Sequence, residues 1–598
     1  MSFAANQVSV MRVDWTRLRQ LARTMAQSPR FEQMMRTKSS DDTKGKSGSD
    51  IRNLILATDP EERVDVMLGI VRDKVARVMG TRAEKVEVDR SLMDLGLDSL
   101  MGFELRNWIE GELRINIPIV ELMQGPTVQK LTTLILTQLE KGDADDGDDS
   151  SAMTSELLAT HMGRFGSDPQ QAAAFAALIS TADDMKSELQ GEVDLPAELV
   201  MKPELEAALE QLTGESTHSN EIQKVFLTGG TGFLGAYILH HLLESDSNLE
   251  VACLVRAKSE KAGLDRLVTN LEKYALWNPN LAERIHAVPG DVASEKFGLD
   301  DSVYRQLAQD VDLVLHNAAG VNFLHTYEQL KEINVGGAQN AMQFALAQKL
   351  KPYHHVSTLF VFSILDHLEL STVSETDKPR RHEFIYGGYL QSKWVADNLV
   401  QRAREMGLPV AIYRPGIVTG DSQTGIHSED VISRSLASVV QLECCPADAM
   451  RFTFTPVDYV GKAIAKLSLR DDTIGGNYHL VNEQFINWPM LIPWLEDMGY
   501  AIESLDYSDW LERLRERSVE SADTMLSGLL PLIPEVQLSG QSIELPPPSF
   551  DCQNSLAKLA EEQIACPGIT EELLNTYVNA LVPTEQVESN LDARPISP

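Results

Sequence analysis

Two tyrosines of this chain stand four residues ahead of a lysine: Tyr389 before Lys393, and Tyr327 before Lys331. On a helix that spacing puts both side chains on one face. An ammonium beside a phenol favours its ionised form, so the phenol becomes a better proton donor. A carbonyl attacked by hydride needs such a donor at its developing oxyanion. The spacing alone carries little weight, since roughly one tyrosine in twenty has a lysine four residues on by chance and this chain has 13 tyrosines. Context separates the two pairs. Tyr389/Lys393 follows a strand-like run, HHVST, which ends at Thr358, and precedes another strand, VAIYRPG. Thr358 is placed to hold a carbonyl oxygen. Tyr327/Lys331 comes before any such threonine and reads as a surface helical pair.

A second set of residues would cradle a dinucleotide. The short apolar run Lys224-Val225-Phe226-Leu227 leads into Thr228-Gly229-Gly230-Thr231-Gly232-Phe233-Leu234-Gly235 and then a helical stretch, AYILHHLLE. Glycines there allow a tight turn and close approach to a pyrophosphate resting on a helix N-terminus. The next run, VACLV, ends at Arg256, 21 positions past Gly235, where an NAD-preferring fold places a carboxylate. An arginine pairs instead with a 2′-phosphate, which favours NADPH, and Arg266 is a second clamp. Gly290-Asp291-Val292 closes a third strand and could face the adenine. Val314–Gly320 reads as a fourth strand ending in small residues, with Asn317, Ala318 and Ala319 lying against the cofactor. His316 and His325 match no metal-ligand spacing and read as core or surface histidines, so no metal is expected.

Ser99 is the third chemical centre. In Leu95-Gly96-Leu97-Asp98-Ser99, Gly96 frees the backbone and Asp98 stands where a helix cap belongs. Behind Ser99, Met101, Leu105, Trp108 and Ile109 form one apolar stripe. A phosphodiester on Ser99 would lie at the positive end of that helix. The serine would then be a tether.

The elements that position these residues fall into blocks. Thr37–Asp50 is small, polar and Gly/Ser-rich, and Gly142–Ser151 holds five aspartates with almost nothing apolar; both read as linkers. They divide the chain into a short N-terminal piece (1–36), a linker (37–55), a small helical block (56–141), an acidic linker with connecting helices (142–190), a long block (191–583) and a tail (584–598). Strands and helices alternate through 191–583, which implies a parallel sheet. The chain has 598 residues, so several domains are expected. Its net charge of −35 argues against nucleic-acid binding. No apolar run reaches the roughly 18 residues of a membrane helix. Five cysteines without a C-x-x-C pair suggest a reducing, cytoplasmic setting.

LGLDSL followed by MGFELRNWIE, with the later IPIVELMQGPTVQKL, resembles acyl carrier proteins, particularly those of polyketide synthases. The resemblance implies 4′-phosphopantetheine on Ser99, a small four-helix domain, and a phosphopantetheinyl transferase and upstream synthase modules as partners. VDWTRLRQLARTMAQSPRF resembles the trailing edge of a ketoreductase domain over about 20 residues. TGGTGFLG, LVRA, HNAAG, VSTLFVF, GGYLQSKWVAD, YRPGIVTG and FTPVDYVG together resemble the extended short-chain dehydrogenase/reductase fold. More narrowly they are similar to thioester reductase domains that end polyketide and peptide synthases and occur in carboxylic acid reductases.

That resemblance implies an α/β fold with a doubly wound parallel sheet and a smaller, mostly helical lid over the acyl chain. Thr358, Tyr389 and Lys393 would be catalytic, with Tyr389 and Lys393 also touching NADPH. Gly229, Thr231, Gly232, Phe233, Leu234, Gly235, Arg256, Pro415, Gly416 and Ile417 would hold NADPH, with Arg414 beside the nicotinamide end. The expected activity is reductive release of a carrier-bound acyl thioester as an aldehyde, or onward to an alcohol. Hydrolytic or cyclising release is a rival, but the sequence contains no G-x-S-x-G elbow. A non-catalytic NADP-binding scaffold is the other, and it would not need Tyr389 or Lys393.

Overall fold

The computed structural model describes 63–79, 81–92, 126–141, 193–212, 222–520 and 549–581, with short gaps in 222–520, and a few isolated positions in the N-terminal block. Ser99 and Met101 lie outside the described residues.

In the N-terminal block, helices α1 (Arg63–Val78) and α2 (Val128–Lys141) share an apolar core. Met67, Val71 and Val75 of α1 meet Leu131 and Ile135 of α2. Leu105 and Ile109 of the expected stripe are fully buried in the same core and Trp108 is partly buried against it. The remaining helices expected of a four-helix unit fall outside the described residues.

The long block is built on seven parallel strands. These are β1 (Lys224–Thr228), β2 (Glu250–Val255), β3 (Ile285–Pro289), β4 (Leu313–His316), β5 (Tyr353–Val356), β6 (Val410–Pro415) and β7 (Asn477–Leu480). Their order is β3-β2-β1-β4-β5-β6-β7, and every neighbouring pair is parallel. The order reverses between β1 and β4, the switch point at which such sheets bind ligands beyond their carboxyl ends.

Both sheet faces are covered, as parallel sheets require. Val225, Leu227, Val251 and Cys253 face helices α3 (Phe233–Ser245) and α4 (Glu260–Lys273), adding Leu239, Leu242, Leu267 and Leu271 to one core. Phe226, Ala252, Val314 and Ile412 face the other way, against α5 (Gly337–Leu346) and α6 (Gly388–Glu405). The segment 193–212 belongs to this second core through Leu195, Met201, Leu205 and Leu209.

A third core lies beyond the sheet. There α7 (Val431–Leu442), α8 (Trp488–Asp497) and α9 (Glu571–Leu581) pack around Phe452, Phe454 and Trp488. This is the smaller, mostly helical part. All five cysteines are free. Among the described residues no helix is long and apolar enough to cross a membrane.

Candidate functional site

The site begins where β1 stops. Thr228 is fully buried, and its hydroxyl accepts from the backbone N–H groups of Asn317 (3.2 Å) and Ala318 (3.1 Å) while pairing with His316 Nδ1 at 2.9 Å. One threonine thus ties β1 to the end of β4. Gly229 has φ of +78°, and a Cβ there would stand 2.8 Å from the Ala318 nitrogen. At Gly235 a Cβ would come within 2.0 Å of the Gly229 carbonyl oxygen. The loop is therefore as tight as its backbone allows. Gly232 caps α3 without a side chain, so the first-turn N–H groups are left for an anion. Asn270 holds the loop from outside, donating to Gly232 O at 3.0 Å.

A cavity of about 1110 Å³ opens at this switch point. Most of the residues expected from sequence to hold the dinucleotide, and all three expected to react, line it. The glycine loop contributes Gly229, Thr231, Gly232, Phe233, Leu234 and Gly235; Arg256, Arg266 and Asp291 lie along one wall; Asn317, Ala318 and Ala319 follow β4. Thr358, Tyr389 and Lys393 share the same cavity with Pro415, Gly416 and Ile417. Arg266 donates to the Arg256 backbone carbonyl, which ties the two lining residues together. No carboxylate follows β2 there. The glycine cradle, the uncapped helix and the two lining arginines all suit a dinucleotide.

The reacting end departs from the sequence reading in one respect. Lys393 is buried and its ammonium donates to the Val356 carbonyl at 2.8 Å. Burial brings it down to about 8, opposed by the charge of Asp397 one helical turn away. Burial likewise pushes the Tyr389 phenol up to about 12, where the spacing suggested a lysine-lowered value. With Lys393 turned toward the end of β5, desolvation dominates. Thr358 accepts from Phe360 N at 3.3 Å. Tyr389 is also braced: the Ser392 hydroxyl donates to its carbonyl (2.8 Å) and accepts from Asn334 (2.8 Å), whose amide also holds both backbone groups of Gly320.

Other expectations are corrected. Arg414 does not reach the cavity; it is fully buried, paired with Asp397 at 3.0 Å and stacked over Phe362. Tyr327 is not a surface residue but 2% exposed, its hydroxyl donating to Glu198 at 2.9 Å, and Lys331 meets the same carboxylate at 2.6 Å. His316 is buried in the core, whereas His325 is exposed. A different cluster, His240, His241 and Glu244, brings metal-ligand types together, away from the cavity lining.

Sequence reasoning missed the far rim. Ser428, Val431 and Arg434 line it from the helical part, and Val321, Phe323 and Phe360 stand 63%, 46% and 45% exposed around it. Phe323 packs edge-on against Tyr389, with ring centroids 5.2 Å apart. Large apolar side chains left in water beside a strand-end cavity were the signal available, but only the fold brings them to one opening.

Sheet order, glycine cradle and a tyrosine–lysine pair in one cavity define a Rossmann-type, nicotinamide-dependent oxidoreductase. The family described as "Male sterility protein" matches residues 227–464, and "Phosphopantetheine attachment site" matches 70–135. The terminal R domain of the myxalamid PKS-NRPS pathway is 35% identical, with a TM-score of 0.59 over 65% of this chain and 96% of that domain. A linear gramicidin synthase chain of Brevibacillus parabrevis is 31% identical over 86% of this chain, and L-2-aminoadipate reductase of Saccharomyces cerevisiae 28% over 85%. The chain spans only 9% and 36% of those two proteins. The chain belongs to the thioester reductase (R) domains of this family, preceded by a phosphopantetheine carrier domain. The relatives point to the nonribosomal-peptide-synthetase kind rather than to the polyketide synthase expected from sequence.

Proposed function

We propose that the chain receives an acyl group as a 4′-phosphopantetheine thioester on Ser99 and releases it reductively, with NADPH, in the 191–583 block. The blocks 56–141 and 191–583 act as carrier and reductase domains, separated by 142–190, with 37–55 a linker, 584–598 a tail and 1–36 a ketoreductase-like remnant. The observation that carries the reading is that Thr358, Tyr389 and Lys393 line the same cavity as the glycine loop 229–235.

Gly229, Gly232 and Gly235 would seat the pyrophosphate, Arg256 and Arg266 the 2′-phosphate, and Pro415, Gly416 and Ile417 the nicotinamide end. Bound there, NADPH supplies the hydride to the thioester carbon. Thr358 would orient the carbonyl oxygen. Tyr389, whose raised pKa keeps it protonated at neutral pH, gives that oxygen its proton, and the Lys393 ammonium stabilises the negative charge. The resulting hemithioacetal breaks its C–S bond, leaving aldehyde and the carrier thiol. A second round on the aldehyde would give an alcohol. Val431, Arg434 and Ser428 support the helical part's role as a lid on the acyl side. A phosphopantetheinyl transferase would install the arm and upstream synthase modules would supply the acyl group. Delivery on a tethered arm keeps the effective concentration high.

The test is to load Ser99 with a panel of acyl-pantetheines, add NADPH, and identify products by mass. Tyr389→Phe should lower turnover by about 10²–10⁴-fold. Full activity of that variant on carrier-bound acyl would sink the proposal. NADPH binding without consumption would favour a scaffold role, and free acid or a cyclised product without NADPH use a hydrolytic or cyclising one.

A further inference from the structure

The second tyrosine–lysine pair has a use of its own. Both polar ends of Tyr327 and Lys331 converge on one carboxylate, that of Glu198, at 2.9 and 2.6 Å. Glu198 ends a short 3₁₀ turn, Leu195–Glu198, whose first residue is buried in the reductase core. Tyr327 is fully packed in that core, and the Lys331 ammonium lies 5.7 Å from its ring centroid. The pair binds Glu198 as an ammonium and a phenol, so the carboxylate is held charged, below its usual range.

The helix that carries the pair, Tyr327–Lys331, presses on the catalytic helix. A Cβ at Gly388 would lie 2.2 Å from the Thr326 carbonyl carbon and 2.3 Å from the Tyr327 nitrogen. Backbone therefore touches backbone immediately before Tyr389. A second connection leaves the same helix. It continues into the π turn Glu332–Gly336, where Asn334 donates to Ser392, which in turn donates to the Tyr389 carbonyl. Glu198 is thus joined through a packed, hydrogen-bonded helix to the residue carrying the phenol, and packed contacts of this kind transmit displacement.

We infer that Glu198 is a positioning residue: by clamping Tyr327 and Lys331 it fixes the helix against Gly388 and thereby sets where the Tyr389 hydroxyl stands in the cavity. The inference deepens the proposed reductive function and rests on that reading for its kinetic consequence. It also makes 193–212, the segment that leads into β1, part of the catalytic apparatus.

The test uses the full chain carrying 3-fluorotyrosine at position 389, observed by fluorine NMR, beside turnover of a carrier-bound acyl group. Glu198→Ala should shift or split the 389 resonance by more than its linewidth. It should lower kcat about tenfold, as small misplacements of reacting groups do, with the Kd for NADPH within twofold of wild type. Glu198→Gln, whose amide oxygen still accepts from Tyr327, should restore part of both. Glu206→Ala is the control: it removes the 2.5 Å ion pair that joins the same segment to Arg402, in the last turn of the catalytic helix and remote from Tyr389, and should move neither readout. Should Glu198→Ala fold poorly, Tyr327→Phe combined with Lys331→Met removes both donors and must shift the resonance equally. An unmoved resonance in Glu198→Ala, or the same shift in Glu206→Ala, overturns the inference. Absence of NADPH use by the wild type would instead fault the functional reading, while the fluorine result still decides the role of Glu198.

Discussion

Asp397 offers a quantitative test of how the site is built. Its two oxygens take four hydrogen bonds: Arg414 Nη2 at 3.0 Å and Gln401 at 2.7 Å on one, Arg414 Nε at 3.1 Å and the Ser357 hydroxyl at 2.6 Å on the other. Both members of the ion pair are completely buried. Asp397→Asn keeps the shape but turns an NH₂ toward a guanidinium that has no water to fall back on. Breaking a buried pair by losing one partner costs about 3–5 kcal/mol. At roughly 2 °C per kcal/mol for a large domain, the melting temperature should fall by about 6–10 °C. Urea unfolding, followed by the fluorescence of Trp394, buried on the same helix, reads the loss directly. The Arg guanidinium holds the Asp397 carboxyl below its ordinary value. The stability it contributes is therefore present above the unfolded carboxylate pKa and is lost as pH falls through the folded one. A catalytic consequence accompanies this. The Asp397 charge supports the Lys393 ammonium, which stands at about 8. Wild-type kcat should decline as pH rises past about 8, and in Asp397→Asn the decline should begin at lower pH. The double variant Asp397→Leu/Arg414→Met should recover most of the stability, because no charge is left unpaired. A single-variant cost under about 1 kcal/mol, or a double variant no better than the single, would refute the reasoning.

Other expected outcomes are simpler. Gly235→Ala must displace a backbone oxygen only 2.0 Å from the new Cβ, so NADPH affinity measured by fluorescence titration should fall at least about tenfold, or 1.4 kcal/mol. Arg256→Ala should cut the preference for NADPH over NADH by about 10–100-fold, the worth of one charged hydrogen-bonding group, as judged by kcat/KM with each cofactor. Glu375 is buried and accepts from the backbone N–H groups of His479 (2.8 Å), Asn554 (2.6 Å) and Ser555 (3.1 Å). Glu375→Ala strands those donors and should cost about 2–4 kcal/mol in urea unfolding.

The parts of the site legible in the sequence are those where chemistry and local backbone coincide. The glycine loop, Arg256 after β2 and the small residues after β4 each follow a strand by one or two positions, so the strand's end fixes where they point. Tyr389 and Lys393 share one helix turn, and Thr358 stands two residues past β5. What stays hidden depends on distant partners. Tyr327 looks like a surface residue until Glu198, 129 positions earlier, supplies a mate for its hydroxyl. Arg414 looks like a neighbour of the nicotinamide because it adjoins Pro415, but strand alternation sends neighbouring side chains to opposite faces, and Asp397 claims it. Spacing misjudges the direction of the Tyr389 shift because it reports proximity and says nothing of desolvation. Ser428, Val431 and Arg434 come from a separately packed core whose approach to the sheet has no local signature.

Val321, Phe323 and Phe360 remain half wetted around the opening of the cavity, an oily lip on a strongly acidic protein. Such a lip collects amphiphiles indiscriminately. Detergent monomers, fatty acids carried through purification and fluorescent probes of greasy surfaces would all lodge at the opening that the proposed acyl substrate would use. Kinetic work on this enzyme therefore belongs in detergent-free buffer, and an apparent inhibitor with a long alkyl tail should first be tried against a simple surfactant of equal length.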